Sequence, residues 1–407
     1  MKILLTAPQP FFVERGTPIA VRALAETLCR QGHEVDLVVF HGGVDIEAPG
    51  LRIFRAPRPP FVRSVPIGLS PAKLACDAAL AMTAARLLAR RRYQVIHAVE
   101  EMIYPALIAK MILGTKVVQD MDSLLVDQIV EKWPSVAWVR APLDLLERIA
   151  IRAANLVLGV CPRIVEHARR QAPGQEVHLL PDIAEPLPTG APPAGLWNLR
   201  QIAGAEADPL MLYVGNLEHY QGVDLLVAAM AHSSIPLTRV RLVVVGGSDA
   251  AVAAAKVNAD RLGVSDRVRF TGPAPLAHLP WLLRQADILC SPRLIGKNTP
   301  MKIYSYMAAG KPILATRIES HTQVLDDRSA MLVDPDPVSV ANGIALLAHD
   351  RALGARLGAA AAHLAQKHYD PASFERRVRR AYAVLFPFTA TSNGSSGNPE
   401  EIVRTNA

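Results

Sequence analysis

The sequence predicts an α/β fold of two similar domains, each with a parallel, doubly wound sheet, facing each other across a ligand cleft. Short apolar strand patterns alternate with helix patterns along the chain, which is typical of parallel sheets covered on both faces. A stretch rich in Pro, Gly and Ala, 184–208, interrupts this alternation, which then starts again. With 407 residues, half of them apolar, the chain is long enough for two cores.

The first half of the chain supplies a complete domain. Its apolar runs predict strands at 2–6, 34–40, 52–55, 95–98, 116–119, 156–160 and 177–180. The segments between them predict helices at 18–31, 72–91, 104–113, 142–153 and 163–170. Residues 1–185 are therefore predicted to form the first domain, and residues 186–208 a linker.

The second half repeats the pattern and supplies a second domain, 209–370. Strands are predicted at 210–214, 241–245, 268–270, 288–290, 313–315 and 330–333, and helices begin near 223, 250, 276, 301, 338 and 353. A last helix, 371–387, carries apolar side chains beside its arginines, and we expect it to pack back on the first domain. Residues 389–407 lack apolar periodicity and are rich in Ser, Asn and Gly, so they are predicted to be disordered.

Composition and motifs argue against several classes of protein. Neither domain's first strand is followed by the glycine-rich turn of a dinucleotide-binding domain, and no P-loop motif is present. The net charge of +7 comes largely from arginine clusters, but aromatic residues make up only 5% of the chain, which argues against a nucleic-acid partner. The four cysteines are far apart, so no metal site or redox pair is predicted.

The chain is expected to act in a reducing cytoplasm. No secretory leader follows Met1, and no apolar run approaches the ~18 residues that span a bilayer. One segment, 70–92, has an apolar face that ends in a cluster of arginines, as in helices that lie on a membrane surface. A peripheral position at the inner face of a membrane is therefore one interpretation, and an ordinary amphipathic helix packed on a sheet is the other.

The segment 291–316 has the features of a phosphate site. A buried strand ends there, Thr299 suits the N-cap of the following helix, and Gly310 suits the left-handed residue that ends it. The amides of the first turn carry positive partial charge, to which Lys297 and Lys302 can add full charges. We therefore expect an anionic ligand here. The alternative is that both lysines are merely solvated.

Four segments together resemble one family of enzymes. They are KILLTAPQPFFVERGTP, LYVGNLEHYQGVDLLVAAM, VRFTGPAP and PMKIYSYMAAGKPILAT. As a set, they resemble the retaining glycosyltransferases of family 4, which have the GT-B fold of two facing Rossmann-like domains, and the similarity covers nearly the whole ordered chain. The resemblance implies transfer of a hexose from a nucleoside-diphosphate sugar to a glycan or lipid-linked acceptor, as in cell-envelope polysaccharide biosynthesis, without a protein nucleophile. No metal or other cofactor is expected, because no carboxylate cluster lies beside the phosphate segment.

Residue by residue, the resemblance exposes departures on the donor side. The two glutamates that the family places eight positions apart fall on Lys297 and Ser305. The Arg and Lys that clamp the donor diphosphate fall on Asn216 and Gln221. Lys297 and Lys302 are the candidate replacements, and we predict that they carry the catalytic positive charge.

Further donor-binding residues are predicted from their position in loops. Gly215 follows the first strand of the second domain, and Asn298 and Thr299 precede the phosphate-binding helix. Gly16 and Thr17 match the family's donor-facing loop in the first domain, where backbone amides would approach phosphate or sugar. A plain helix start explains Gly16 and Thr17 equally well.

The acceptor side is predicted at the carboxyl ends of neighbouring first-domain strands. The family's histidine there corresponds to Asp122, which lies two residues after Asp120, so both carboxylates point the same way if the chain is extended. They could hold sugar hydroxyls or orient an acceptor hydroxyl, with Asp122 in the catalytic role. His97 and Glu100 come from the adjacent strand end and are assigned to the acceptor or sugar as well. The alternatives are that Asp122 caps the next helix and that His97 is a satisfied core histidine.

Two other hypotheses stay open. The substitutions at Asn216, Gln221 and Ser305 also fit a catalytically weak or inactive homologue that binds sugar or partners another transferase. A nucleotide-sugar epimerase on the same fold would interconvert the free nucleotide sugar without an acceptor. Glu319 and His321 follow the next strand toward the same cleft, and their role is open.

Overall fold

Two parallel sheets organise the chain, one in each half. The computed structural model describes residues 1–13, 16–62, 70–132, 138–232 and 239–386. The strands of these residues are β1 Lys2–Pro10, β2 Glu34–Phe40, β3 Leu51–Arg55, β4 Val95–Val99, β5 Lys116–Met121, β6 Leu156–Gly159, β7 Val177–Leu179, β8 Leu210–Val214, β9 Arg241–Val245, β10 Val268–Gly272, β11 Ile288–Ser291, β12 Ile313–Thr316 and β13 Met331–Val333. Their α-helices are α1 Gly16–Arg30, α2 Pro71–Arg90, α3 Ile103–Leu113, α4 Leu125–Lys132, α5 Arg140–Ala153, α6 Pro162–Gln171, α7 Leu199–Ala203, α8 Val223–Ala231, α9 Asp249–Arg261, α10 Leu279–Gln285, α11 Met301–Ala309, α12 Glu319–Thr322, α13 Pro337–His349, α14 Arg351–Leu364 and α15 Pro371–Leu385.

The strand order of each sheet defines one candidate ligand site. The first sheet runs β3-β2-β1-β4-β5-β6-β7, and the order reverses between β1 and β4, which pair in parallel from Ile3 with Val95 to Thr6 with Ala98. The second sheet runs β10-β9-β8-β11-β12-β13, with the reversal between β8 and β11. In open α/β sheets, ligands bind beyond the carboxyl ends of the strands at such a reversal. The predicted class of fold is confirmed.

Helices cover both faces of the first sheet, as strands buried on both sides require. Successive side chains of β1 point to opposite faces. Leu4 joins the core under α2, α3, α5 and α6, whereas Ile3 and Leu5 join the core under α1 and α15. The last helix of the described chain, α15, thus returns to the first sheet, where Val378 and Tyr382 are buried.

The helix predicted over 72–91 packs on the first sheet. α2 begins after Ser70, whose side chain caps it, and packs on β1 and β2. Leu80 and Leu87, which belong to the apolar face predicted for a membrane surface, are buried in the core. For these residues the second interpretation, a helix packed on a sheet, is correct. None of the helices in the described part of the chain is long and apolar enough to cross a membrane.

The structure contains three α-helices that the sequence pattern does not predict: α4, α7 and α12, the last of only four residues. α4 follows the end of β5, and α7 lies within the predicted linker, where Asn198 caps a helix of five residues. Helices this short contain too few apolar repeats to give a periodic signal. β1 also runs to Pro10, beyond the predicted end at residue 6, because it continues to pair with β2 after a register shift. The predicted tail, 389–407, and residue 387 of the last predicted helix lie outside the described residues.

Candidate active site

The two candidate sites face each other across a cleft between the domains. The loop between β11 and α11, residues 292–300, reaches from the second domain to the first. The Lys297 ammonium lies 2.6 Å from Asp127 Oδ2 on α4, and the side-chain amide of Asn298 donates to the Asp122 carbonyl. The carboxyl ends of the two sheets are therefore in direct contact through this loop.

Lys302 is the centre of a cationic site at the strand ends of the second domain. Its ammonium donates to Gln221 Oε1 at 3.1 Å and lies 4.1 Å from the centre of the Tyr213 ring. Gly215, with φ 151°, leaves room for it, since a Cβ there would come within 2.7 Å of the ammonium. Burial lowers the pKa of Lys302 to about 7, and the charge of Arg293 adds to this effect. No carboxylate of the described residues pairs with Lys302, and a buried, unpaired ammonium favours an anionic ligand.

Arg293 is the second cation of this site, and the sequence analysis did not identify it. Its guanidinium donates to the Asn298 carbonyl at 3.1 Å and lies 5.1 Å from the centre of the Tyr220 ring. A Cβ on Gly296 would come within 2.6 Å of the guanidinium carbon, and the φ of 153° at this residue is one that residues with a side chain rarely adopt. Burial lowers the pKa of Arg293, and within the described chain it has no carboxylate partner either. Arg293 lies just after a buried strand of the phosphate segment, and this position is the signal that could have identified it. We call Arg293 and Lys302 together the cationic pair.

The helix that carries Lys302 begins at the predicted residue, but its N-cap differs from the prediction. α11 begins at Met301 with Pro300 at the N-cap, and no side chain caps its first turn. Thr299 is therefore not the N-cap, and its buried hydroxyl has no hydrogen-bond partner of normal geometry among the described residues. Gly310 ends the helix with φ 65°, as predicted. The amides at the start of α11 thus lack a side-chain partner beside the cationic pair.

Ser305 and Asn216, two other residues predicted to bind the donor, differ in whether their side chains already have a hydrogen-bond partner among the described residues. Ser305 is three residues after Lys302 on α11, so the two side chains share a face of the helix. Asn216 is exposed, and its side chain accepts a hydrogen bond from the Glu218 amide at 3.4 Å. Ser305 therefore lies on the same side of α11 as Lys302, whereas the Asn216 side chain is engaged in its own turn.

Lys297 is not part of the cationic pair. Its ammonium is held by Asp127, which also accepts from Arg140 at 2.6 Å. Burial would raise the pKa of Asp127, but hydrogen bonds from these two cations lower it below its ordinary value. The predicted role of Lys297 in stabilising a diphosphate is corrected: the loop directs its side chain to the first domain, and Arg293 takes the interior position.

Four carboxyl groups form the first-domain side of the cleft, which we call the carboxyl cluster: Glu100, Asp120, Asp122 and Asp182. Burial and the charges of the other three carboxyl groups raise the pKa of Asp122 well above its usual range, although a hydrogen bond from the Thr17 side chain acts to lower it. Burial raises the pKa of Glu100 to about 8 and that of Asp182 to about 7, and in both cases the charge of Asp120 adds to the effect. At neutral pH the cluster therefore retains protons and can both donate and accept hydrogen bonds.

Two features of the carboxyl cluster were not apparent from sequence. Asp182 lies just after the carboxyl end of β7, as Asp120 lies near the carboxyl end of β5, and this shared position is the signal that could have identified Asp182. Glu100 has φ 52°, a conformation that is uncommon for a residue other than glycine and that is often found at functional sites. Among the residues that the structure describes, no group of three His, Cys, Asp or Glu side chains is arranged to hold a metal ion. Metal-independent chemistry stays a prediction.

His97 is a buried residue that positions Asp120. Its Nδ1 lies 2.7 Å from the Tyr382 hydroxyl and its Nε2 lies 3.1 Å from Asp120 Oδ2. The tautomer that satisfies both contacts has Nε2–H donating to Asp120 and Nδ1 accepting from the Tyr382 hydroxyl. Both nitrogens are engaged and the side chain is fully buried, so the assignment of His97 to the acceptor is corrected to a core histidine. Through this chain of contacts, α15 supports the carboxyl cluster.

Gly16 and Thr17 begin α1 at the edge of the cleft. The Thr17 side chain hydrogen-bonds to Asp122. A Cβ on Gly16 would meet nothing within 4 Å, so packing does not require glycine there. The start of α1 therefore leaves open space beside the carboxyl cluster.

His321 and Glu319 have structural contacts. His321 is buried, with Nε2 2.9 Å from Ser291 Oγ and Nδ1 2.8 Å from the Thr316 carbonyl, and burial lowers its pKa to about 4. It is thus a neutral link between β11 and β12. Glu319 lies 3.5 Å from Arg163 of the first domain and adds a second ion pair between the domains.

Comparison with known proteins divides the chain in the same way. The family model described as glycosyl transferase 4-like domain matches residues 15–183, and the one described as glycosyl transferases group 1 matches residues 208–350. The chain is 34% identical over 169 residues to the D-inositol 3-phosphate glycosyltransferase of Xylanimonas cellulosilytica, a match that spans 40% of this chain and 40% of that relative. The chain belongs to the group 1 glycosyltransferase family.

Solved structures share the fold over nearly the whole chain. The sucrose-phosphate synthase of Thermosynechococcus elongatus superposes with a TM-score of 0.78 at 22% identity, over 95% of this chain and 99% of that one. HepE of Anabaena, in complex with UDP and glucose, superposes with a TM-score of 0.69 at 18% identity, over 94% of this chain and 99% of that one. These similarities establish the fold, which is the predicted GT-B arrangement.

Proposed function

We propose that this protein transfers a hexose from a nucleoside-diphosphate sugar to a hydroxyl group of a glycan or lipid-linked acceptor, with retention of the anomeric configuration. The observation that carries the proposal is the cationic pair, Arg293 and Lys302, at the strand-order reversal of the second sheet. Both side chains lack a carboxylate partner among the described residues, and they lie beside a helix start with no capping side chain. Such a site suits a group with two or more negative charges. UDP, which HepE holds in its complex, is a ligand of this kind.

The cationic pair offers a replacement for the family's usual diphosphate clamp. Asn216 and Gln221 stand where the family has Arg and Lys, but Lys302 reaches Gln221 from a different element, α11. Gln221 thus holds in place a lysine that supplies the charge missing from its own position. Gly215 allows the close approach of this ammonium to the backbone. These contacts favour an active donor site over an inactive homologue.

The carboxyl cluster is the proposed acceptor side. Its neutral and ionised carboxyl groups match the hydroxyl groups of a sugar or polyol, which need both donors and acceptors. A phosphate group at this edge would be repelled, so we propose that the acceptor presents hydroxyl groups here. Asp122, hydrogen-bonded to Thr17, is the proposed residue that orients the attacking hydroxyl.

The proposed transfer needs no protein nucleophile. The bond between the anomeric carbon and the diphosphate oxygen breaks, and the acceptor oxygen bonds to the anomeric carbon on the same face of the sugar. The acceptor proton passes to the departing diphosphate oxygen, so atoms and charges balance. Arg293 and Lys302 stabilise the negative charge that develops on the diphosphate, which is commonly the largest single contribution to catalysis.

Donor turnover without an added acceptor tests the proposal, because water can then take the place of the acceptor. The protein is incubated with UDP-, GDP-, ADP- and TDP-hexoses, and the products are followed by NMR. We expect slow release of free hexose with the donor's anomeric configuration from one nucleotide class, and much less release by the Lys302→Met variant. The inverted anomer would refute retention. Conversion of the donor to an isomeric nucleotide sugar would identify an epimerase, and binding without consumption would support the inactive homologue.

A further inference from the structure

α3 is an apolar helix that lies on the protein surface. Of its eleven residues, Ile103–Leu113, only Lys110 is charged, and its ammonium donates to the Ala153 carbonyl at 2.6 Å. The side chains of Met111 and Ile112 are 87% and 75% exposed. A helix that is apolar on all sides is normally buried, so the exposed side of α3 needs a covering partner.

The exposed apolar surface continues on both sides of α3. α2, α3 and α5 cover the same face of the first sheet, and α3 packs against α5. The exposed large apolar residues of these helices, which we call the outer helical face, include Met82, Ile108, Met111, Ile112, Leu145 and Ile149. Isolated apolar residues on a surface are ordinary, but a group spread over three neighbouring helices marks an interaction site.

Unpaired arginines flank one end of the outer helical face. α2, α3 and α5 lead into β4, β5 and β6, which all begin at the same edge of the sheet, so the helices end side by side. Arg90 and Arg92 lie at the end of α2, and Arg152 lies in the last turn of α5. All three are exposed, and none has a carboxylate partner within the described residues. The apolar end of α3, Met111 and Ile112, thus lies between positive charges that nothing described neutralises.

We propose that the outer helical face docks on an anionic lipid bilayer, with Met111 and Ile112 in the headgroup region and the arginines at the lipid phosphates. A bilayer supplies apolar contact and negative charge together, which is the combination that interfacial helices bind. The docking is peripheral, and it is centred on α3, whereas the sequence pointed to 70–92.

Two other occupants fit the surface less well. A two-fold contact between copies of the chain through this face would place the arginines of one copy near those of the other, and like charges repel. A protein partner is disfavoured because the exposed side chains at the centre of the face have little hydrogen-bonding capacity to specify one. The anionic bilayer is therefore the occupant that charge complementarity selects.

Co-sedimentation of the full chain with vesicles tests the proposal, and its readout does not depend on glycosyl transfer. The probes are vesicles of phosphatidylcholine alone and vesicles of equal parts phosphatidylcholine and phosphatidylglycerol. We expect binding to the anionic vesicles and little binding to the neutral ones. Binding should weaken as salt is added, because the arginine contribution is screened.

A single charge at the apolar end of α3 provides the first matched comparison. Met111→Glu places a carboxylate in the proposed headgroup contact and should weaken vesicle binding by about tenfold or more. Val257→Glu makes the same kind of change at a residue of similar exposure on α9, in the second domain, and should leave binding unchanged. Because both residues are exposed, neither substitution should change the melting temperature appreciably.

Removal of the flanking arginines provides the second comparison. The double variant Arg90→Gln, Arg92→Gln should weaken binding to anionic vesicles by roughly 10- to 30-fold. This range follows because each basic residue near an anionic surface contributes about fivefold to binding. Arg351→Gln with Arg356→Gln, two exposed arginines of α14, should have no effect.

Three results would overturn the proposal. The first is absence of binding to anionic vesicles by the unaltered protein. The second is binding that Met111→Glu and the Arg90, Arg92 pair leave unchanged. The third is a dimer in light scattering that Met111→Glu dissociates, which would show that a second copy covers the face.

Discussion

Replacement of Lys302 by methionine should make the free protein more stable and remove most of its affinity for nucleoside diphosphates. The two effects have opposite signs because the same buried charge disfavours the empty fold and attracts an anion. Methionine is the suitable substitute, since it has a similar length and its thioether can pack on the Tyr213 ring where the ammonium now lies.

The size of the stability change follows from the pKa of Lys302. A fall from the ordinary value of 10.5 to about 7 means that folding disfavours the charged form by roughly 5 kcal/mol. Because the side chain stays partly exposed, we expect Lys302→Met to recover only ~1–2 kcal/mol. Because the pKa of Lys302 is lower in the folded protein, the full free-energy cost of the buried ammonium applies below about pH 7. This cost disappears as the pH rises toward the ordinary lysine pKa. The stability gain of the variant should follow the same course.

Thermal unfolding with and without a panel of UDP, GDP, ADP and TDP measures both effects. The unaltered protein should be stabilised by one of the four nucleotides, because a ligand that binds only the folded state raises its stability by mass action. The Lys302→Met variant should melt at a higher temperature than the unaltered protein without ligand and respond little to the nucleotide. Lys256→Met, which removes an exposed lysine from α9 of the same domain, is the control and should retain the response.

Two results would refute this reasoning. If Lys302→Met kept the full nucleotide response, the diphosphate would not lie at the cationic pair. If the variant lost stability below pH 7, the ammonium would be favourably placed in the empty site, and the pKa argument would fail.

Three further predictions follow from single contacts. Nucleotide affinity should fall above pH ~7, by up to about tenfold per pH unit, because binding requires protonated Lys302; calorimetric titrations across this range check it, and a flat profile would contradict it. The ion pair between Lys297 and Asp127 should show a coupling of about 1 kcal/mol in a double-mutant cycle of kcat/KM with Lys297→Met and Asp127→Asn, whereas additive effects would mean that it does not stabilise the contact between the domains. Tyr382→Phe removes the donor to His97 Nδ1 and should lower the free energy of unfolding by about 1–3 kcal/mol in urea denaturation, with an unchanged value counting against the proposed tautomer.

The fold could be predicted from the sequence because each element carried its own local signal. The strands β2, β8 and β9 have the bounds expected from their apolar runs. The helices that were missed, α4, α7 and α12, are too short for periodicity to show. The start of α11 at Met301 was predicted correctly, but its N-cap was not: Thr299 has the chemistry of an N-cap, whereas Pro300, with ψ 132°, is the last non-helical residue.

The candidate site could be predicted only in part, because side-chain direction depends on contacts between the domains. Lys302 and the paired aspartates were found from strand ends and helix starts, which are local features. Lys297 was assigned to the diphosphate because it lies in the right loop, but its partner, Asp127, is 170 residues away on a helix that the pattern did not reveal. Likewise, the burial of His97 depends on Tyr382 of the last helix, 285 residues away.

Release of nucleoside diphosphate from the donor sugar by the Arg293→Gln, Lys302→Met double variant is the most direct test of the central claim. The donor is the nucleotide class that stabilises the unaltered protein, and the variant's fold is checked by its melting curve. The cationic pair is proposed to stabilise the departing diphosphate, so the rate should fall by about 10²–10³ or more relative to the unaltered protein. A folded double variant that releases the diphosphate at the unaltered rate would show that the charge is stabilised elsewhere and would contradict the account.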